Sequence, residues 1–497
     1  MQFATELWRN GKGLVLAGLL VALLAACGGS DNGPSGNPDP DPPAAGGGDD
    51  DGGGDDDGNG GDDGGDDGGN DDDGNDGGND DDGNDDGNTD DPEPVFMTFQ
   101  PASLVVGQPD FAGGDPNQAG AAPGASTLDM AVGGIAYSAE NDVMFISDGG
   151  NTRVLGYLGI PDMNNMNADF VLGQADFTST NQASVDEGTI SASTMHSPES
   201  VSVDGGQLTV TDTGLNRVTV YEGVPTAGGV NPVLVVGQAS FDAYSGACDA
   251  STLQHPHQQF ITPDGKLLVA DAGHNRVLVW NAMPTANGAP ADLALGQIDF
   301  ENCSNAEAFN FKHPSSLWSD GEMLIVADSE KNRVLIWNTF PESNLQAPDV
   351  ILGQADMEHI APNDDDQDGV ADGNFTWVPC DPPSEGCVTD ENNGDATART
   401  LSYPRDIDVV DGKLYVADMN NNRVLIWNAI PTESFTPADV VIGQENMTGN
   451  APDAGQAAPN EFGFEQPIGV SVVGDQLFVT DWKNSRVLAF EKQVPAE

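Results

Sequence analysis

Positive charge is what this chain has least of. Its 497 residues carry 16 Lys and Arg against 81 Asp and Glu, a formal net charge of −65. Nucleic acid binding needs the opposite sign, so a nucleic acid partner is excluded. Direct adhesion to an anionic lipid surface is not expected, on the same ground. Cysteine is scarce, with five in the chain. No long helical period follows the first 26 residues, which argues against a solenoid of paired helices. No nucleophile–base pair, phosphate-binding loop or strong metal triad stands out, so no catalytic residue is assigned.

What is present is repetition. The pattern Asp-x-x-x-x-Arg-Val begins at Asp148, Asp212, Asp271, Asp328, Asp418 and Asp481. A Gly-Gln pair falls twenty residues after each of the first five arginines, at Gly173, Gly237, Gly296, Gly353 and Gly443. A period of this kind marks an array of small units. The unit from His313 to Gln354 contains short β-branched runs, Leu324-Ile325-Val326-Ala327 and Val334-Leu335-Ile336-Trp337, separated by a polar turn. Both faces of each run are apolar, so each must be covered on both sides. Four short strands per unit, stacked face to face around an axis, predict an all-β, six-bladed propeller.

The segments that carry the pattern, Val-Ala-Asp-Ala-Gly-His-Asn-Arg-Val-Leu-Val-Trp at 269–280 and its relatives, resemble the NHL-repeat family over roughly residues 100–490. The resemblance implies a propeller, commonly of six blades. Some members of the family bind RNA through basic faces, a pattern from which this acidic chain departs. The sixth repeat stops short of a strand before Gly-Gln. An orphan strand of that type, Leu104-Val105-Val106-Gly107-Gln108, precedes the first repeat. It is expected to complete the last blade and to remove the open edges of the ring.

The Asp-x-x-x-x-Arg turns are expected to share a face with the segments after each Gly-Gln. Those segments vary most, from 32 residues between Gly296 and Asp328 to 65 between Gly353 and Asp418. Variation gathered on one face fits a binding surface, and equally fits insertion into exposed loops. The repeated Asp and Arg read as structural: the Asp accepts turn amides and the Arg ties strand ends. Trp280, Trp337 and Trp427 share one repeat position and read as packing residues. Trp482, inside a turn, reads as an exposed contact for a ligand.

The front of the chain reads as an address. Arg9 and Lys12 precede an apolar run from Leu14 to Ala26, too short for a comfortable transmembrane helix. Leu24-Ala25-Ala26-Cys27 looks like a bacterial lipobox, which implies a signal peptide at 1–26, cleavage before Cys27 and lipidation there. Several acyl chains would hold the protein at a membrane. The localisation expected is the bacterial cell envelope, extracytoplasmic, with the outer membrane or cell surface favoured in a Gram-negative host. Residues 31–94 hold 25 acidic residues and no Lys or Arg. Segment 27–94 is therefore expected to be a disordered Asp/Gly-rich tether, ahead of the propeller at 95–497 with an insert at about 357–400.

Four cysteines remain in a disulfide-permissive domain. Cys380 and Cys387 flank a short loop, and Cys248 and Cys303 lie in equivalent connections of successive blades; three pairings are open. In the insert, Asp364, Asp366, Asp368 and Asp372 alternate ahead of and after Gly369. That spacing aims oxygens at one point, as in calcium loops. Calcium and Asp-rich filler are both open readings.

His196, His255 and His313 stand near the starts of innermost strands, and His257 follows Pro256. An amidating lyase of the family holds Zn²⁺ with channel histidines placed just after Pro. Here the matching positions after Pro404 and Pro467 are Arg405 and Ile468. A catalytic zinc needs three convergent ligands. His255, His257 and His313 are thus candidate metal ligands that fit packing between blades better, and zinc is not the expected cofactor. The function expected is a binding scaffold for protein, peptide or glycan ligands on the loop-rich face. The alternatives are a metal-dependent lyase or hydrolase in the channel, and a structural cell-surface component.

Overall fold

The computed structural model describes residues 93–184, 188–303, 311–367 and 396–495. The expected signal peptide, nearly all of the tether, Cys27, Asp368, Asp372, Cys380 and Cys387 lie outside these residues. The described chain folds as six four-stranded antiparallel sheets arranged as a β-propeller. Blade one begins at Ala131–Ser138, and blades two to six begin with Pro198–Asp204, Pro256–Ile261, Pro314–Ser319, Pro404–Val410 and Pro467–Val473. These innermost strands contact one another in a closed ring. The insert lies between the outer strand of blade four, Val350–Leu352, and the inner strand of blade five.

Closure is as the sequence implies. Leu104, Val105 and Val106 pair with Ala489, Leu488 and Val487, so the first strand is the outer strand of blade six. Val95 adds a bridge to Gln493. Because alternate residues face opposite sides of a strand, Val105 enters the apolar seam between blades five and six. Leu104 and Val106 enter the seam between blades six and one. Each of the six seams holds one such cluster, built from the facing residues of two neighbouring blades. Gly107 has φ of +91°, and a Cβ there would lie 2.6 Å from Leu128 Cδ1. Glycine is thus required both for the turn and for the close approach.

The repeat motif is the rivet of each blade. Each Asp pairs with its Arg across a hairpin, Arg Nε donating to Asp Oδ2 at 2.7–3.0 Å. The six arginines are 0–1% exposed. The guanidinium also donates to the segment that follows its own blade's outer strand, as Arg153 does to Phe177 O at 2.5 Å. In blades one, two, three, five and six the other Nη reaches the segment before the inner strand, at Gly124 O and Thr127 O for Arg153. The second Asp oxygen accepts a backbone N–H just ahead of that strand, as Asp212 does from His196. Burial pushes the carboxyls of Asp148, Asp328, Asp418 and Asp481 upward, while the guanidinium pulls the other way. The Gly-Gln pair has its own use: Gln238 Nε2 donates to Asn216 O at 2.8 Å. Gln108 does the same for blade six at Ser485 O, 3.1 Å, so the orphan strand carries the whole repeat chemistry.

In blades one to five the turns between Asp and Arg are single 3₁₀ turns that end on a left-handed residue, Asn332 in blade four with φ of 53°. Its Oδ1 then accepts the N–H of Tyr403, at the start of the next blade's inner strand. Asn216, Asn275 and Asn422 hold His255, His313 and Gln466 in the same way.

Candidate functional site

Each inner strand after blade one opens with Pro, which cannot donate to the ladder and suits a strand start. The register shifts immediately afterwards, between Pro198 and Ser200, Pro256 and Gln259, Pro314 and Ser316, Pro404 and Asp406, and Pro467 and Gly469. A bulge leaves its extra residue unpaired and re-aims the side chain. The residues so placed are Glu199, His257 with Gln258, Ser315, Arg405 and Ile468, and all of them line the central channel.

The channel holds a cavity of about 560 Å³ lined by inner strands of all six blades. A second cavity of about 340 Å³ is lined by Glu199, His257, Tyr403, Arg405, Met419, Asn420, Ile468 and Trp482. Met419, Asn420 and Trp482 belong to Asp-to-Arg turns, so this cavity is the channel mouth on the loop-rich face. Glu199, His257, Arg405 and Ile468 line both cavities and form the partition between them.

An ion pair crosses that partition. Arg405 Nη2 donates to Glu199 Oε2 at 2.9 Å, joining blade five to blade two on opposite sides of the ring. Arg405 Nη1 meets His257 Nδ1, and the same nitrogen lies 3.2 Å from Glu199 Oε2. The His257 and His313 rings touch edge to face at 4.5 Å between centroids. Tyr403 Oη is 3.3 Å from His313 Nδ1. Burial holds His313 and His196 below the usual imidazole value. Burial, then the charges of Glu330 and Glu199, raise the Tyr403 phenol.

Deeper in the channel, Asp406 ties four blades together. It accepts from Gln258 Nε2 of blade three at 3.1 Å, Ser316 Oγ of blade four at 2.7 Å and the Val470 N–H of blade six at 2.9 Å. Asp408 accepts from the Val472 N–H at 2.7 Å. Loss of hydration raises the Asp406 carboxyl to about 7 and that of Asp408 to about 6.

His257 and His313 come together at the partition, whereas His255 is exposed beside it. Among the described residues no group of three His, Cys, Asp or Glu side chains is arranged to hold a metal ion. Asp364 is buried and Asp366 exposed, and the rest of the candidate calcium loop lies outside the described residues. Cys248 and Cys303 form a disulfide with Cα atoms 6.2 Å apart. Trp482 is partly buried in the mouth, not freely exposed, with the Lys483 ammonium 4.2 Å over its ring. Sequence reasoning passed over Glu199, Tyr403, Met419 and Asn420, and met Arg405 only as a departure from a Pro-His order. The column directly after each inner-strand Pro was the signal that could have found Glu199 and Arg405.

Residues 401–427 match the NHL repeat. The match supports the family resemblance drawn from the repeated motif. No curated protein matches the chain. Among solved structures, the WD40 β-propeller domain of Doa1 is 10% identical, with TM-score 0.39, covering 81% of this chain and 96% of that one. Virginiamycin B lyase from Staphylococcus aureus is 11% identical, with TM-score 0.35, covering 74% and 96%. A luciferin-regenerating enzyme is 13% identical, with TM-score 0.34, covering 74% and 96%. Likeness at this level carries nothing about what this chain binds.

Proposed function

We propose that the chain is a lipid-anchored, extracytoplasmic propeller that binds a ligand at the channel mouth on its loop-rich face. The observation that carries the reading is the mouth cavity, where Trp482 and Tyr403 stand beside the Glu199–Arg405 pair. A concave, largely apolar site with a few convergent polar groups is the usual form of a ligand site. The Leu24-Ala25-Ala26-Cys27 pattern supports the anchor, and the acidic segment behind it supports a spacer that lifts the propeller from the membrane. A metal-dependent lyase or hydrolase in the channel lacks a group of three ligands among the described residues.

Two experiments test the two halves. Metabolic labelling with a fatty-acid analogue should mark the full chain and not its Cys27→Ser variant; equal labelling would remove the anchor. Detergent-extracted full-length protein should retain peptide or glycan ligands that the Trp482→Ala variant releases. Ligand retention indifferent to Trp482 would place binding elsewhere.

A further inference from the structure

Resting on that reading of the mouth, we infer that its ligand is a neutral sugar, one or two rings of an oligosaccharide. Charge argues first. The lining holds one carboxylate and one guanidinium, already joined, and otherwise an imidazole, a phenol, an indole, a carboxamide, a thioether and an alkyl group. Around this balanced patch the propeller itself is acidic, with 14 Lys and Arg against 55 Asp and Glu over residues 95–497, a field that repels anions on approach. A cation is drawn in by that field but finds the one carboxylate of the mouth engaged by Arg405 and the Lys483 ammonium over Trp482. A ligand with no net charge avoids both penalties.

Shape and hydrogen bonding narrow the class. Trp482 and Tyr403 line the mouth with aromatic rings, and the C–H face of a pyranose, the flat apolar surface of an otherwise polar molecule, suits contact with such rings. Its ring hydroxyls lie in neighbouring pairs, each able to donate and accept. Carboxylate, guanidinium and carboxamide groups present paired polar atoms in one plane, so each can engage two adjacent hydroxyls. Arg405 uses one N–H toward Glu199 and another toward His257, out of five. Among the described residues the buried Trp482 Nε1–H has no acceptor. The ring is therefore not pinned by a hydrogen bond from behind, and a ligand oxygen reached on its rotation would satisfy that donor. The cavity, about 340 Å³, lies at the small end of ligand sites, which suits one or two rings and not a folded partner.

The test uses the full-length protein in detergent on an array of neutral hexose, pentose and N-acetylhexosamine oligosaccharides, with uronic-acid oligomers and a peptide library beside it. Expected is retention of at least one neutral series, with affinity falling by about tenfold or more in Trp482→Ala and in Arg405→Ala, both measured below the melting temperature of the variant. Trp482→Phe, which keeps the flat face and drops the N–H, should fall between. Retention of no neutral oligosaccharide overturns the proposal, as does neutral-sugar binding untouched by Trp482→Ala. Peptides released by Trp482→Ala, with no sugar bound, would overturn the sugar class and uphold the mouth. Ligands of any class indifferent to both substitutions would overturn the mouth itself.

Discussion

Among the described residues there are two kinds of carboxylate–guanidinium contact, and they teach opposite lessons. The Asp-to-Arg pair recurs six times, always within one hairpin, with both side chains 0–1% exposed. Its spare donors are mostly taken up by backbone carbonyls of the flanking connections. The Glu199–Arg405 pair occurs once, joins opposite blades, and stays 18% and 13% exposed in the wall of a cavity. Chemistry repeated in every blade serves what every blade needs, which is closure. Chemistry found in one direction across the ring breaks its symmetry, and only a broken symmetry can recognise an asymmetric ligand.

The largest effect expected comes from removing the support of one rivet. Deleting residues 95–111 takes away Gln108, the Phe111 carbonyl that Arg486 holds, and the outer strand of blade six. Burial of Phe96, Leu104, Val105 and Val106 is worth roughly 1.5–3 kcal/mol each as an upper figure. The melting temperature should drop sharply, with association through the bared edge; an unaffected melt would refute the shared blade.

Next is the rivet alone. Asp418→Ala leaves the buried Arg423 guanidinium unpaired and should cost about 3–5 kcal/mol in denaturant unfolding. A loss below about 1 kcal/mol would put this pair in the same class as an exposed one. The disulfide reinforces the same kind of joint, since Arg276 holds the carbonyls of Asp249 and Phe300, close in sequence to Cys248 and Cys303. Cys248→Ser should therefore destabilise by about 2–4 kcal/mol, a loss that reducing agent reproduces in the parent and not in the variant.

Arg405→Ala sharpens the comparison from the other side. The pair is 13% and 18% exposed and opens onto a cavity, so its loss should cost less than loss of a fully buried rivet; urea should shift Arg405→Ala less than Asp418→Ala while ligand binding collapses. The smallest effect concerns the channel aspartates. Asp406 and Asp408 have carboxyls raised in the folded chain to about 7 and about 6. Folding favours their protonated forms, so their contribution to stability is fullest below about pH 4 and declines as pH rises toward 7. Asp406→Asn should gain on the parent through that window; a constant difference between the two unfolding curves would show that the carboxyl titrates as an exposed one.

The legible part of the site was the part that repeats. Asp328 and Arg333 could be read as structural because five other blades carry the same pair in the same frame. Trp482 could be read as a contact because its turn position lies on the loop-rich face. Glu199 and Arg405 were not legible in that way. They share a column with His257, Ser315 and Ile468, five chemically unlike residues, and only the bulge after each proline makes the column a ring. His255, which sequence grouped with His257 and His313, is held at φ of 46° by Asn216, and it is exposed at the edge of the site.

The sequence by itself determined the repeat, the number of blades, the donor of the closing strand and the structural use of the Asp and Arg, because each of these is periodic or its one exception. The tertiary structure alone decided which side chains meet across the channel. Glu199 and Arg405 are 206 residues apart, and no local period relates them. Their meeting depends on the ring having an even number of blades, so that blade two faces blade five across an axis that exists only once the chain has closed.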